Sequence, residues 1–458
     1  MERNLTKGPV LTTMLLFAIP MIAGNLLQQV YNIADTMIVG KFLGADALAA
    51  VGSAYTLMTF LTSVIIGLCM GSGSVFSTLF GAGRHEEMKE SMWVSFCMIA
   101  IVTAAIYAGV SMNIDKILRL LQVQGNVAVL MKEYIQVIFV GIVFVFLYNY
   151  FAFLLRAVGN SVIPLYFLAG ASVLNIVLDL YFVVVLKRGA KGAAEATVIA
   201  QAFAGVGLAA YALLKEPQLL PEARHRRMRI SSIKHIAQYS LLTCVQQSVM
   251  NFGILMIQGL VNSFGTVIMA AFAAAVKIDT LAYMPAQEFG NAFSLFIAQN
   301  HGAGEKERVR KGIWTAVRVS IAFCLLVSLC VCLGARHLME IFIDRTETEI
   351  VKAGMHYLRI EGAFYWGIGC LFLLYGLYRG IEKPGISLIL TIISLGTRVV
   401  LAYALAPNPA FGISAVWWAI PIGWILADIA GGLYYKKNEL TFRQHESPAF
   451  GHGERQEK

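Results

Sequence analysis

A carboxylate at the depth of a lipid bilayer costs several kcal/mol, so its presence in a long apolar run points to function. Three acids stand in such runs in the N-terminal half of this chain: Asp35, Asp179 and Glu195. Asn175 precedes Asp179 by four residues, which puts it on the same helix face one turn away, and Thr197 shares a run with Glu195. Two carboxylates with an amide and a hydroxyl oxygen suit two chemistries. Desolvated and close together they can pass a proton, or their hard oxygens can hold a cation such as Na⁺. Asn175 and Thr197 would serve equally well as interhelical glue, at about 1 kcal/mol or less per hydrogen bond. Glu195 lies a turn from the end of its run, where it can reach water.

The C-terminal half carries a different set. Lys277 and Asp279 sit mid-run two residues apart and therefore on different helix faces, Glu288 lies further along the same run, and Arg398 lies in a later one. These four are candidates for substrate binding or gating, with structural charge cancellation as the alternative; Asp428 is a weaker case. Pro20 removes a backbone donor inside the first run and offers a hinge in the helix that bears Asp35. Enzyme signatures are missing. His85-Glu86-Glu87-Met88-Lys89 begins like a zinc-protease helix but has Lys89 where a second His is needed, and no Walker loop or GxSxG occurs. ATP-driven pumping is disfavoured, and no cofactor is expected.

The elements that must position these groups are membrane helices. The chain has 458 residues, of which 58% are hydrophobic and 14% charged, against about a quarter charged in soluble domains. Apolar runs near 11–39, 47–70, 92–112, 133–155, 162–186, 192–214, 236–261, 266–299, 312–334, 354–378, 385–406 and 412–435 predict twelve spans. The first run exceeds a leader's length and is read as a span. All seven cysteines lie inside such runs without metal or redox spacing.

With the N-terminus inside, inner segments hold 22 Lys and Arg and outer segments 10, so both termini are expected in the cytoplasm. The basic stretch Arg224-His225-Arg226-Arg227-Met228-Arg229 reads as a topology anchor touching anionic lipid, in preference to a nucleic-acid site. It also marks the midpoint of an internal repeat. Gly81-Ala82-Gly83 recurs as Gly302-Ala303-Gly304 and Gly44 as Gly265, both at an offset of 221. Gln28-Gln29 recurs as Gln246-Gln247 at 218, and Arg156 as Arg379 at 223. Four matches at nearly one offset argue for duplication, with six spans per half and a pseudo-twofold axis along the membrane normal. The expected units are an N-lobe (1–214), a cytoplasmic linker (215–235), a C-lobe (236–437) and a tail (438–458).

Over nearly all of residues 8 to 437 the chain resembles the MATE (multidrug and toxic compound extrusion) transporters. The resemblance rests on Gln28-Gln29-Val30-Tyr31-Asn32-Ile33-Ala34-Asp35, the Gly-Ala-Gly helix ends, Arg156-Ala157-Val158-Gly159 with Pro164, Gly192 to Thr197, and Lys277-Ile278-Asp279 leading to Gln299-Asn300. It implies two six-helix lobes in a V, alternating access, and export of cationic or amphipathic molecules in exchange for H⁺ or Na⁺. In the DinF-like branch the N-lobe ion site uses an Asp, an Asn and Asp pair, and a Thr, which Asp35, Asn175, Asp179 and Thr197 match in type and order. The NorM-like pattern of acids on the seventh and tenth spans is not matched, since span seven has none and span ten only Glu361. The rival readings are a flippase of lipid-linked precursors, for which Lys277 and Arg398 would supply basic charge, and a non-transporting membrane scaffold or receptor. A monomer in a multi-pass cell (inner) membrane location is expected, with lipid and a small molecule as its only partners.

Overall fold

The computed structural model describes residues 4–120, 123, 125–226, 229–408 and 411–444. Arg227 and Met228 of the basic stretch and residues 445–458 of the expected tail lie outside them. The described residues contain no strand. The helices are α1 (Val10–Leu43), α2 (Ala45–Gly81), α3 (His85–Leu120), α4 (Gly125–Ile138), α5 (Ile142–Ala157), α6 (Val162–Asp179), α7 (Gly189–Lys215), α8 (Ile230–Asn262), α9 (Thr266–Gly302), α10 (Lys306–Glu340), α11 (Thr348–Gly362), α12 (Tyr365–Gly380), α13 (Pro384–Leu405) and α14 (Gly412–Gln444). Among the described residues eleven segments are long and apolar enough to cross a membrane unbroken, and α11 with α12 makes a twelfth span bent by 51°. Every predicted span is present, most of them several residues longer than the apolar run because amphipathic turns continue each helix past the hydrocarbon. Residues 438–444, read as tail, continue α14.

The repeat is visible in the backbone. The fourth span is interrupted by a 3₁₀ turn at Phe139–Gly141, and the tenth bends just after Gly362, which stands 221 residues beyond Gly141. At the bend Phe364 donates to the Glu361 carbonyl at 2.9 Å, a tightened turn that releases the α-helical ladder. The Gly-Ala-Gly ends form matching Schellman caps: Gly83 and Gly304 take φ of 69° and 73°. Arg84 N–H then reaches Leu79 O at 3.0 Å, and Glu305 N–H reaches Asn300 O at 2.9 Å.

Two main apolar cores correspond to the two lobes, one built mostly from α2 to α7 and the other from α8 to α14. The lobes cross over at the first helix of each. The start of α1 packs Met14, Phe17, Ala18 and Met21 against Phe289, Ala292, Phe293 and Phe296 of α9. After Pro20 the same helix, unbroken, turns Gly24 toward Leu165 and Leu168 of α6. In the other lobe α8 lies on α2 so closely that a methyl on Gly67 or Gly71 would stand 2.6 Å from the Cα of Cys244 or Ser240. Small residues four apart let membrane helices approach to this distance.

At the Gly-Ala-Gly end the lobes seal against each other. A methyl on Gly81 would meet the Gln299 carbonyl oxygen at 2.0 Å, and one on Gly302 the Thr78 carbonyl oxygen at 2.0 Å, a reciprocal contact across the pseudo-twofold axis. Gln299 ties the seam: Nε2 donates to Ala157 O at 2.6 Å and Oε1 accepts from Leu5 N–H at 3.1 Å. Ser77 Oγ donates to Leu295 O at 3.0 Å and Arg308 Nη2 to Lys7 O at 2.9 Å.

Outside the bilayer the linker is shorter than expected, running from Glu216 to Arg229 between α7 and α8. It is docked on the start of α3. Glu86 pairs with His225 at 2.7 Å and Arg224 at 3.2 Å, Lys89 with Glu222 at 3.5 Å, and Arg226 lies over the Trp93 ring. The His225 Nε2–H holds the Glu86 carboxyl below its ordinary range, while Nδ1 accepts from Glu222 N–H.

Candidate functional site

Away from the seal the lobes part around a cavity of about 500 Å³. Its depth follows from the helices: α2 contributes Tyr55 to Met70 and α9 contributes Thr280 to Asn291, about ten residues short of the sealed ends at Gly81 and Gly302. The lining is rich in side-chain amides, among them Asn25, Gln28, Gln29, Asn32, Asn149, Gln247, Asn251 and Gln287, interleaved with Met and Tyr. Amides offer donors and acceptors without charge, and Met conforms to irregular shapes, so the wall suits varied amphipathic molecules. Glu288 and Arg156 are the charged residues among the main cavity's lining. A small recess bordered by Gln246, Tyr375 and Arg379 adjoins it.

The four N-lobe candidates come together beside this cavity. Asn175 and Thr197 line it and are joined directly, Asn175 Nδ2 donating to Thr197 Oγ1 at 3.3 Å while that hydroxyl donates to Ala193 O. Asp179 follows one turn along α6, fully buried, and is near enough to Asp35 of α1 for the two to repel. Both oxygens of Asp179, one of Asp35 and the amide oxygen of Asn175 are shielded from water and accept no hydrogen bond. Four such oxygens in one place are expensive unless a proton or cation satisfies them. Across the described residues no group of three or more His, Cys, Asp or Glu side chains is placed to hold a metal ion.

Two features of this site were not read from the sequence. Directly after Asp179 the chain widens into a π-helical segment, Leu180–Val185, of a kind that recurs at functional sites. Tyr134 of α4 is buried within electrostatic reach of both aspartates. No motif pointed to this tyrosine, because depth along a helix does not give its facing. Glu195 instead pairs with Arg188 at 2.8 Å near the span's end and takes no part in the cluster.

The C-lobe candidates separate. Glu288 enters the cavity, accepting from Asn25 Nδ2 at 2.8 Å and Asn291 Nδ2 at 3.1 Å. Lys277 is exposed; at about 3.6 residues per turn, eleven residues return it to the face of Glu288, further along the same stripe but beyond the cavity lining. Asp279 faces the other way, as the spacing required, and is buried with Glu361, Tyr357, Tyr365 and Arg398 inside the C-lobe. Asp279 and Arg398 therefore do not line the cavity. Two carboxylates against one guanidinium leave one negative charge to be balanced, and Glu361 stands at the bend between α11 and α12. Asp428 sits apart on α14, facing Gly367, with both oxygens unpartnered.

Comparison with known proteins gives one consistent result. The MatE family model matches residues 20–181 and 243–404, two equal stretches that coincide with the repeat. The chain is 28% identical over 435 residues to "Probable multidrug resistance protein YpnP" of Bacillus subtilis, covering 94% of this chain and 96% of that one. It is 25% identical over 407 residues to "Probable multidrug resistance protein NorM" of Thermotoga maritima, covering 87% and 86%. A solved MOP superfamily transporter from Pyrococcus furiosus superposes with a TM-score of 0.90 over 96% of this chain and 98% of that one, at 24% identity.

Proposed function

The chain belongs to the MatE family of membrane transporters, and from that membership we propose an antiporter that exports cationic or amphipathic small molecules by alternating access. It is a transporter and not an enzyme. The lobes are residues 1–214 and 236–437, and the sealed end faces the cytoplasm, so that the cavity opens outward.

One observation carries the coupling: the four unpartnered oxygens of Asp35, Asp179 and Asn175 lie beside a cavity wall that shares Asn175 and Thr197 with them. A proton or Na⁺ taken up there cancels the repulsion between the aspartates and lets α1 settle on α6. Substrate pressing on the shared wall favours the opposite arrangement. An ion and a substrate that prefer different conformations exchange across the membrane. Pro20, at the point where α1 passes from one lobe to the other, is the hinge on which that helix swings. Glu288 receives a cationic group, and Lys277 lies on the approach.

The flippase reading drew on Lys277 and Arg398 as cavity bases, and neither is in the lining. The test is efflux of a fluorescent cation from proteoliposomes. Asp35→Asn and Asp179→Asn should each abolish gradient-driven efflux at unchanged expression, and full activity in both overturns the assignment. An imposed pH gradient compared with an imposed Na⁺ gradient identifies the coupling ion.

A further inference from the structure

The cavity floor holds more positive charge than its one acid can balance. Arg156 and Arg379 occupy equivalent positions of the repeat, each in the last turn of its helix, α5 and α12. Arg156 lines the cavity, its Nε shielded from water and without a partner, and among the described residues its side chain forms no hydrogen bond or ion pair. Its guanidinium lies over the Phe153 ring, 5.5 Å away. Arg379, 5% exposed, borders the recess and donates to three neutral acceptors, Ser294 Oγ at 3.3 Å, Asn291 Oδ1 at 3.1 Å and Met70 Sδ, with no anion among them. The cavity's carboxylate, Glu288, lies within electrostatic reach of both guanidinium groups but bonds to Asn25 and Asn291 instead.

A guanidinium held away from bulk water without an anion is costly, and its planar fork fits a carboxylate, sulfonate or phosphate in two-point contact. We propose that Arg156 and Arg379 form an anion-binding subsite at the floor of the cavity, so that the transported molecules include amphipaths bearing an anionic group. The apolar body of such a molecule lies higher, among Met58, Tyr148 and Met284. Lys277 on the approach adds charge of the sign that draws anions inward. The inference rests on the transporter reading only in taking this cavity as the substrate's. It concerns equilibrium binding, whereas ion coupling at Asp35 and Asp179 concerns movement.

Three dansyl probes of nearly equal shape separate the outcomes: dansylglycine (anionic), dansylamide (neutral) and dansylcholine (cationic), titrated by fluorescence against the full chain in lipid nanodiscs at constant pH and salt. Dansylglycine should bind about tenfold more tightly than dansylamide, the size of one charge-assisted hydrogen bond. R156Q and R379Q should each shrink that ratio toward one while leaving dansylamide affinity unchanged, which also shows the cavity intact. E288Q should strengthen dansylglycine binding. In the wild type alone, equal affinity for dansylglycine and dansylamide overturns the proposal whether or not the variants fold, while dansylcholine reports the separate contribution of Glu288. Asp35→Asn should lose efflux yet keep dansylglycine binding, so failure of the coupling assignment and failure of the anion subsite give different results.

Discussion

Replacing Gly81 by Ala tests the seal between the lobes. The added methyl would stand 2.0 Å from the Gln299 carbonyl oxygen, at least about 1 Å inside any tolerable contact, and that atom belongs to a helix backbone that cannot swing aside. Relief requires the ends of α2 and α9 to separate by about that distance. Overpacking of this kind costs about 1–3 kcal/mol. Because the contact exists only while this end is shut, the cost falls on the sealed conformation alone. At about 1.4 kcal/mol per tenfold, the balance against other conformations shifts by about 5- to 140-fold. Hydrogen–deuterium exchange should therefore rise in peptides spanning 76–84 and 297–305, the two sides of the seam, with exchange elsewhere unchanged. Gly302→Ala, whose methyl meets the Thr78 carbonyl, should act alike. Gly109→Ala, in a helix with open space around it, should have no effect on the seam. Unchanged exchange at both segments in Gly81→Ala would refute the reasoning, since a backbone contact this close cannot be absorbed without movement.

Two further predictions follow from charge pairs. Glu195→Gln removes only a partly exposed ion pair with Arg188, worth about 0–1 kcal/mol, so efflux and thermal stability should both stay near wild type; a loss of coupling equal to that of Asp179→Asn would place Glu195 in the ion site after all. Docking of the linker on α3 should depend on pH through Glu86. Its carboxyl is held below the ordinary range by His225, so the contribution is present above the ordinary glutamate range near neutrality and is lost as the pH falls through the lowered value. Limited proteolysis of the 217–226 stretch should accelerate on acidification in the wild type, whereas E86Q should be cut quickly at every pH.

The sequence alone determined the framework. Twelve spans, the duplication and the placing of the acids inside membrane segments follow from hydropathy and from residues that recur at one offset, because lipid forbids unpaired backbone and makes every buried charge conspicuous. It also fixed that Lys277 and Asp279 face apart, since helical spacing is local geometry. What the tertiary structure decided is which helix meets which. That Asp35 of α1 comes near Asp179 of α6 with Tyr134 of α4 within electrostatic reach of both, that Asp279 and Arg398 withdraw into the C-lobe with Glu361, and that the Arg156 side chain is left without a hydrogen-bond partner on the cavity floor all depend on rotations and bends between segments far apart in the chain. Hydropathy gives a residue's depth along its helix but not its facing across the bundle. The π-helical segment after Asp179 and the bend after Glu361 turn helix faces at these two acids, and neither has a local sequence signal strong enough to announce it. The aspartates that opened the sequence reading were therefore conspicuous from the start, while their assembly into one site is a property of the packed bundle.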